Sequence, residues 1–369
     1  MYLSTRGNIE IQTSAQTIAL GMVPQGGLFV PQNIPIMNWQ ELKDLDYSEL
    51  ALKIMRLYIG DLPSETLEKM VKVYGDGRFG TANPAPLIDA GDCGLLELWH
   101  GPTAAFKDIA LQVLPYLLTS SITSLGLDAD VLILTATSGD TGKAALEGFK
   151  DVPGTQIVVF YPDGGVSPVQ ERQMITTGGS NTFVVAIKGN FDECQTAVKK
   201  IFSSEDLCRR FERRKMVFSS ANSINWGRLL PQIVYYFWAY IQAVQKDKIK
   251  PDAKINIVVP TGNFGNILAA YYAKRMGLPI AQLICASNQN NVLADFFHSG
   301  IYNSKRPFYL TSSPSMDILI SSNFERFLFE VSGRDSKKIQ RWYAALAKEG
   351  SFRVEQEILD LCRQVMVAG

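Results

Sequence analysis

The stretch INIVVPTGNFGN, residues 255–266, joins an apolar run rich in β-branched residues to a turn made largely of glycine and asparagine. An apolar run of this kind is typical of a strand that is covered on both faces in a parallel sheet. Residues 265–276 then show the spacing of a helix. A strand, a short turn and a helix in this order are the building unit of an α/β fold.

The same alternation extends along most of the chain and predicts an α/β protein with a mostly parallel sheet. The predicted strands cover residues 95–99, 131–137, 156–161, 182–187, 216–219, 254–260 and 280–287. The predicted helices cover residues 104–118, 142–149, 168–176, 192–202, 226–245 and 265–276. Residues 1–85 are predicted to form a separate layer, and residues 322–369 are predicted to be helical without a strand.

The composition narrows the range of functions. The 369 residues include 36 Lys+Arg and 36 Asp+Glu, whereas a nucleic-acid-binding protein usually has a basic excess. The longest unbroken apolar run, residues 233–241, is shorter than the roughly 18 residues that span a bilayer. We therefore expect no membrane span and, since no signal peptide is apparent, a cytoplasmic protein. Five widely spaced cysteines and two histidines predict neither a disulfide framework nor a metal site.

The turn at residues 261–266 lies beyond the carboxyl end of a strand, where ligands bind in open α/β sheets. Its glycines let the backbone approach an anion, and the helix that follows presents free N–H groups at the positive end of its dipole. The turn therefore predicts a phosphate cradle, although it lacks the GK[ST] ending of a Walker loop. The alternative is a plain tight turn that binds nothing.

A second turn of this type, Ser138-Gly139-Asp140-Thr141-Gly142, follows the predicted strand at residues 131–137. Its hydroxyl groups, glycines and backbone N–H groups suit a carboxylate or another anion. The alternative is that Asp140 or Thr141 caps the next helix, and both interpretations can hold together.

Lys107 lies near the start of a predicted apolar helix, beside two alanines and a phenylalanine. Removal from water lowers the pKa of an amine and favours its reaction with an aldehyde. The alternative is a surface lysine paired with Asp108. A reactive amine together with two anion sites fits pyridoxal phosphate, which is an aldehyde that carries a phosphate.

The segment around Lys107, HGPTAAFKDIALQ at residues 100–112, is one of a series of motifs in a fixed order. The others are STRG at 4–7, QGGLFVP at 25–31, TSGDTG at 137–142, YPDGGVSPVQERQM at 161–174, GNFDECQTAVKKIF at 189–202, NSINWGRLLPQ at 222–232 and PTGNFGN at 260–266. Together they resemble the threonine synthase family, pyridoxal-phosphate enzymes of the tryptophan-synthase-β fold group. The resemblance covers most of the chain up to about residue 330.

The resemblance implies a fold-type-II enzyme with two open, mostly parallel sheets, flanking helices and an N-terminal helical layer. It implies an N-terminal domain at residues 1–85, a large cofactor-binding domain at 86–110 and 222–369, and a small domain at 111–221. The implied activity is that of a lyase that converts O-phospho-L-homoserine and water into L-threonine and phosphate. This is the last step of threonine biosynthesis. We expect the enzyme to be a monomer or a homodimer.

The resemblance also implies roles for individual residues. Lys107 matches the catalytic lysine, which holds pyridoxal phosphate and moves protons at the substrate. The other residues implied to bind the cofactor are Asp140, Gly262, Asn263, Phe264, Gly265 and Asn266. The residues implied to bind the substrate are Ser138, Gly139, Asp140, Thr141, Ser223, Asn225 and Arg228.

One family motif has no match in this sequence. Members of the family carry a TAHPAKF-like segment near the C-terminus, and its threonine faces the pyridine nitrogen of the cofactor. This difference predicts either a chain shortened at its C-terminus or another residue at that position, for which Ser312, Ser313 and Ser315 are the candidates.

Other functions stay open at this point. A threonine dehydratase, or a lyase acting on O-phosphohomoserine or phosphoethanolamine, would share Lys107 and the glycine loop. The combination of HGPTAAFKD with SGDTG favours threonine synthase over these. A non-catalytic protein that keeps the cofactor pocket to bind a metabolite would be consistent with the unmatched C-terminal motif.

Overall fold

The computed structural model describes residues 1–189 and 191–369, without the side chains of residues 191, 192, 195, 196, 199 and 203. Asn190, in the GNFDECQTAVKKIF motif, lies outside the described residues. The chain forms two compact units. Unit 1 consists of Met1–Gln12, Val23–Glu41 and Val244–Gly369, and unit 2 consists of Thr13–Met22 and Leu42–Ala243. The division into three domains that the resemblance implies stays a prediction.

Strands and helices alternate through the middle of the chain. The strands are β1 Tyr2–Ser4, β2 Phe29–Pro31, β3 Leu87–Asp89, β4 Gly94–Leu96, β5 Asp130–Ala136, β6 Thr155–Pro162, β7 Thr182–Ile187, β8 Met216–Ser219, β9 Ile255–Pro260, β10 Ile280–Ala286, β11 Ile301–Asn303, β12 Ser351–Arg353 and β13 Met366–Ala368. The helices are α1 Ser14–Leu20, α2 Tyr47–Tyr58, α3 Ser64–Val71, α4 Asp108–Leu111, α5 Leu114–Ser124, α6 Asp140–Phe149, α7 Pro168–Ile175, α8 Phe191–Ser203, α9 Glu205–Glu212, α10 Trp226–Gln245, α11 Gly265–Arg275, α12 Val292–Ser299, α13 Phe324–Val331, α14 Ser336–Glu349 and α15 Gln356–Val365.

Unit 2 is built around a four-stranded sheet in the order β7-β6-β5-β8, and all of its strand pairs are parallel. Every residue of β5 after Asp130 is buried, because helices cover both faces of a parallel sheet. On one face Leu132, Leu134 and Ala136 pack with Cys194 of α8. The near-continuous apolar runs of the sequence arise from this two-sided burial.

Unit 1 contains the second parallel sheet, in the order β13-β10-β9. Two parallel sheets with flanking helices confirm the predicted fold class. The prediction that residues 322–369 form no strand is wrong, because β13 pairs with β10. This strand has only three residues, too few for a periodic pattern, and its pairing partner lies far away in the sequence.

Residues 95–99 do not form the predicted buried strand. Only the short strand β4 forms there, and it pairs antiparallel with β3 in a two-stranded hairpin. Leu95 and Trp99 are 43% and 47% exposed. A short apolar run does not reveal by itself whether a sheet will cover it, and this one stays at the surface.

The STRG motif of residues 4–7 has a structural role within unit 1. The Thr5 hydroxyl donates to Glu325 Oε1 over 2.6 Å, and the Arg6 guanidinium donates to both Glu325 oxygens over 2.9 and 2.8 Å. The Glu325 side chain is only 5% exposed, and this two-pronged contact supplies the donors that a buried carboxylate requires. The motif therefore joins the N-terminal segment to α13.

Within the described residues, no helix is both long enough and apolar enough to cross a membrane.

Candidate active site

Lys107 lies at the N-terminal boundary of α4, after a tightly folded loop. The Asp108 carboxylate accepts hydrogen bonds from the Thr103 backbone N–H over 2.9 Å and from the Thr103 hydroxyl over 2.8 Å. Gly101 makes this close approach possible, because a Cβ atom there would lie 2.4 Å from Asp108 Cβ. Asp108 thus shapes the loop, and the paired group facing Lys107 is Asp140 rather than Asp108.

The Lys107 amine is buried, with 11% of its side chain exposed, and its Nζ lies 3.3 Å from Asp140 Oδ2. The removal of the amine from water lowers the pKa of Lys107 below its ordinary value. The negative charge of Asp140 opposes this shift, whereas the positive charges of Arg228 and Lys143 reinforce it. The site therefore favours a neutral amine at a lower pH than an exposed lysine would reach.

The turn at residues 138–142 places Asp140 beside Lys107. The Thr137 hydroxyl accepts from the backbone N–H groups of Gly139 and Gly142, over 3.0 and 2.9 Å. Gln170 Nε2 donates to Asp140 Oδ1 over 2.9 Å. The prediction that Asp140 or Thr141 caps α6 is wrong: the cap position is Gly139, and no side chain bonds there. Ser138 and Thr141 are half-buried on this turn.

Gly139 is a position at which a side chain would be strained. Its φ is 138°, and an added Cβ would lie 2.2 Å from Gln170 Oε1. We expect Gly139→Ala to lower the free energy of unfolding by about 2 kcal/mol or more, through backbone strain at this φ and through displacement of the Gln170 amide from Asp140. Urea denaturation measures this effect.

Gly126→Ala provides the matched control, because Gly126 also has a positive φ, 68°, but faces open space. We expect this variant to lose only about 1 kcal/mol from the left-handed backbone alone. Equal losses in the two variants would contradict the close contact between Gly139 and Gln170.

Arg228, in α10, is a buried cation that is only partly hydrogen-bonded. The residue is 2% exposed, and its Nη1 donates to the Ala221 carbonyl. Its Nε has no hydrogen-bond partner among the described residues. Burial lowers the pKa of Arg228 to about 10. A buried guanidinium with an unused donor suits an anionic ligand.

The other two predicted substrate residues of this segment differ from Arg228. Ser223 is half-buried. Asn225 is fully buried, and its amide donates to the carbonyls of Ile18 and Ser220, while its oxygen accepts from the Gly227 N–H. The Asn225 side chain therefore holds the loop in shape, and a direct role toward substrate stays a prediction.

Unit 2 thus brings together Lys107, Asp140 and Arg228 from three separate predicted segments. It adds Lys143, which lies 3.6 Å from Asp140, and Gln170, neither of which the sequence reasoning identified. One signal pointed to Lys143. It is a lysine in the first turn of a helix, where the helix dipole disfavours a positive charge.

The five predicted phosphate-loop residues all lie in unit 1. Gly262, Asn263 and Phe264 lie between β9 and α11, and Gly265 and Asn266 are the first two residues of α11. Phe264 takes a left-handed conformation, with a φ of 65°, at the start of α11. The Gly262 carbonyl accepts from the Ser321 hydroxyl over 2.6 Å, and the Asn263 carbonyl accepts from the Asn323 N–H over 3.1 Å. These two hydrogen bonds hold the loop, immediately before the N-terminus of α11, against residues 321–323.

Gly262 itself lies against the chain at residues 315–318. A Cβ on Gly262 would lie 3.1 to 3.2 Å from Ile318, Met316 and the Ser315 carbonyl. Of the serines considered for the pyridine nitrogen, Ser315 is therefore next to the loop, and the Ser313 hydroxyl accepts from Asn288 over 3.0 Å. A role for Ser312, Ser313 or Ser315 stays a prediction.

In the parts of the chain that the structure describes, no group of three or more His, Cys, Asp or Glu side chains could hold a metal ion.

Comparisons with known proteins identify two family regions. A family model described as "Threonine synthase N terminus" matches residues 1–73, and one described as "Pyridoxal-phosphate dependent enzyme" matches residues 95–356. Threonine synthase of Pseudomonas aeruginosa is 40% identical over 360 residues, which cover 96% of this chain and 74% of that protein. Threonine synthase-like 1 of Homo sapiens is 39% identical over 368 residues, which cover 96% of this chain and 49% of that protein. The chain thus spans about half the length of this human relative and of its Macaca fascicularis counterpart.

Solved structures give the same assignment. PLP-bound threonine synthase from Brucella melitensis matches with a TM-score of 0.91 at 40% identity, over 100% of this chain and 77% of that chain. Threonine synthase from yeast matches with a TM-score of 0.88 at 35% identity, over 100% of this chain and 76% of that chain. Sequence and fold agree, and the chain belongs to the threonine synthase family of pyridoxal-phosphate-dependent enzymes.

Proposed function

We propose that this chain is a threonine synthase, which uses pyridoxal 5'-phosphate to convert O-phospho-L-homoserine and water into L-threonine and phosphate. One observation carries the proposal beyond family membership. Unit 2 contains a buried amine, Lys107, in the same charged cluster as a buried guanidinium, Arg228, whose Nε lacks a partner among the described residues. An amine for an aldehyde and a cation for a phosphate are the two groups that this reaction needs.

The residues of the chain fit the cofactor. Lys107 would bind its aldehyde carbon, because a desolvated amine is a good nucleophile. The loop of residues 262–266 would bind its phosphate, because its glycines let the backbone approach an anion and the N-terminus of α11 is the positive end of the helix dipole. Asp140, which faces Lys107, would orient the amine. When bound, the cofactor would withdraw electrons from the substrate α-carbon.

Lys107 is the proton carrier in this proposal. Its neutral Nζ takes a proton from the substrate α-carbon. A proton is then lost from the β-carbon as phosphate leaves the γ-carbon, and the γ-carbon gains a proton. Water adds its hydroxyl at the β-carbon, and Nζ returns a proton to the α-carbon. Burial lowers the pKa of Lys107, so its amine gives up its proton more readily than that of an exposed lysine. Asp140, 3.3 Å away, stabilises the protonated form between the two transfers.

The phosphate of the substrate is assigned to Arg228. Its guanidinium can donate two hydrogen bonds to a phosphate dianion, in a geometry that lysine cannot provide. Ser138, Gly139 and Thr141 would bind the remainder of the substrate through hydroxyl and backbone N–H groups, and Ser223 and Asn225 would shape the phosphate subsite.

The test is product analysis with O-phospho-L-homoserine as the substrate. We expect L-threonine and inorganic phosphate in equal amounts. Phosphate together with 2-oxobutanoate, and no threonine, would identify a lyase instead. Incubation with L-threonine alone is the control, since a dehydratase would produce 2-oxobutanoate from it. A visible cofactor band that responds to the substrate without any product would indicate a metabolite-binding protein.

We infer that the enzyme works in the cytoplasm as a monomer or a homodimer. The five cysteines are free thiols in the structure, as is usual in a reducing compartment. Light scattering coupled to size-exclusion chromatography distinguishes the two oligomeric states.

A further inference from the structure

Lys143 occupies a position that stability alone does not explain. It lies in the first turn of α6 and is only 8% exposed. Burial disfavours its positive charge, and so does the positive end of the helix dipole. An apolar residue would avoid both effects. The contacts of Lys143 therefore need to account for its presence.

Two contacts connect Lys143 to the surroundings of Lys107. Its Nζ donates to the Thr103 carbonyl over 2.9 Å, and this carbonyl belongs to the loop that leads into Lys107. The same Nζ lies 3.6 Å from Asp140 Oδ1, while Lys107 Nζ lies 3.3 Å from Asp140 Oδ2. A single carboxylate is thus placed between two lysine side chains, and Gln170 donates to it as well.

We propose that Lys143 is a positioning residue for Lys107. Lys143 partly neutralises the charge of Asp140 and donates a hydrogen bond to the Thr103 carbonyl, so that the Lys107 amine is left free to react with an aldehyde. This inference rests on the proposed function, because it takes Lys107 to be the residue that binds the cofactor. Lys143 itself does not touch the reacting atoms in this proposal. It acts through the carboxylate that it shares.

The charges around Lys107 give the direction of the effect. Asp140 and Lys143 face it from α6, and Arg228 faces it from α10, while Asp108 of α4 faces Lys143 and Arg228. Without the Lys143 charge, Asp140 would stabilise the ammonium form of Lys107 more strongly. The pKa of Lys107 would then rise, and less neutral amine would be present at any given pH.

The experiment measures covalent bond formation at Lys107 rather than turnover. The full chain, freed of cofactor with hydroxylamine, is mixed briefly with pyridoxal 5'-phosphate across a range from about pH 6 to about pH 10. Borohydride reduction then fixes the adduct, and peptide mass spectrometry quantifies it at Lys107. In Lys143→Gln we expect the midpoint of this pH profile to move upward by about one unit.

Three further variants make the test specific. Lys143→Arg keeps the charge and is expected to keep the original midpoint. Lys150→Gln places the same substitution at the exposed C-terminal end of α6 and is expected to change nothing. Lys143→Met removes the charge and also the hydrogen bond to Thr103, and it is expected to move the midpoint as Lys143→Gln does. It replaces Lys143→Gln as the test variant if that variant fails to fold.

A lower melting temperature with an unmoved midpoint in Lys143→Gln and Lys143→Met would overturn the proposal, because a purely structural lysine would give that result. The absence of any adduct at Lys107 in the unsubstituted chain would count against the proposed function itself. The two failures are therefore distinguishable.

Discussion

Threonine formation is expected to fall by about 10³-fold or more in Lys107→Ala, because the variant loses both the nucleophile and the proton carrier. The fold should survive, since the substitution removes a buried charge and fills its place with a small apolar group. Steady-state assays of threonine release measure the loss of activity, and thermal unfolding checks the integrity of the fold.

Lys107→Arg is the matched control for charge. An arginine keeps the positive charge opposite Asp140, but it does not give up its proton at neutral pH. We expect it to be as inactive as the alanine variant. Activity in Lys107→Arg but not in Lys107→Ala would show that Lys107 serves only as a charge. Turnover in Lys107→Ala within tenfold of the unsubstituted enzyme would show that the reaction does not need Lys107.

The pH dependence of the unsubstituted enzyme follows from the same amine. Because burial lowers the pKa of Lys107, the amine loses its proton at a lower pH than an exposed lysine does. Activity should therefore fall as the pH decreases through this lowered pKa and the amine becomes protonated. Lys107 should also set the acidic limb of the kcat profile, because its amine is free of the cofactor only in the enzyme–substrate complex.

The second large effect is expected at Arg228. In Arg228→Met we expect the KM for O-phospho-L-homoserine to rise about 100-fold, through the loss of charge-assisted hydrogen bonds to the phosphate. Inhibition by inorganic phosphate should weaken by a similar factor, which gives a readout independent of turnover. The free energy of unfolding should change little or increase, because a buried cation with an unused donor is replaced by an apolar side chain.

Arg209→Met, on α9, is the control for this series, since the Arg209 side chain is 62% exposed. It should leave both the KM and the phosphate inhibition unchanged. An unchanged KM in Arg228→Met together with a large loss of stability would mean that Arg228 supports the fold and does not contact the phosphate.

The sequence predicted the parallel sheets well where strands are buried on both sides. β7 and β8 have the bounds that were predicted, residues 182–187 and 216–219. Helix α10 was also predicted in full, although Pro231 lies inside it. Pro231 has no N–H to donate to the Gly227 carbonyl four residues earlier, yet the helix continues through it. Such elements are predictable because local pattern and burial agree.

Elements whose environment depends on distant residues were not predictable. The apolar run at residues 95–99 lacks a sheet to cover it, and the strand β13 exists only because β10 offers an edge. The helix predicted at 104–118 is divided into α4 and α5. Pro115 contributes to this break, because proline has no N–H to donate to the preceding turn.

The site shows the same limit. Motifs identified Lys107, Asp140 and Arg228, and these residues do share one charged cluster. Gln170 and Lys143 were missed because their importance lies in contacts with Asp140 that the sequence does not display. The alternative that Asp140 or Thr141 caps α6 does not hold, because the Thr137 hydroxyl, before the helix, accepts from the Gly139 and Gly142 N–H groups.

The partition of the chain into two units has a consequence for the order of events on the ribosome. Residues 1–12 emerge first, yet Thr5 and Arg6 pair with Glu325, about three hundred residues later. Unit 2 is complete once residue 243 has emerged, and domains generally fold as units during synthesis. The nascent N-terminal segment therefore lacks its contact with Glu325 while unit 2 folds. Its docking on α13 is expected to be a late step of biogenesis.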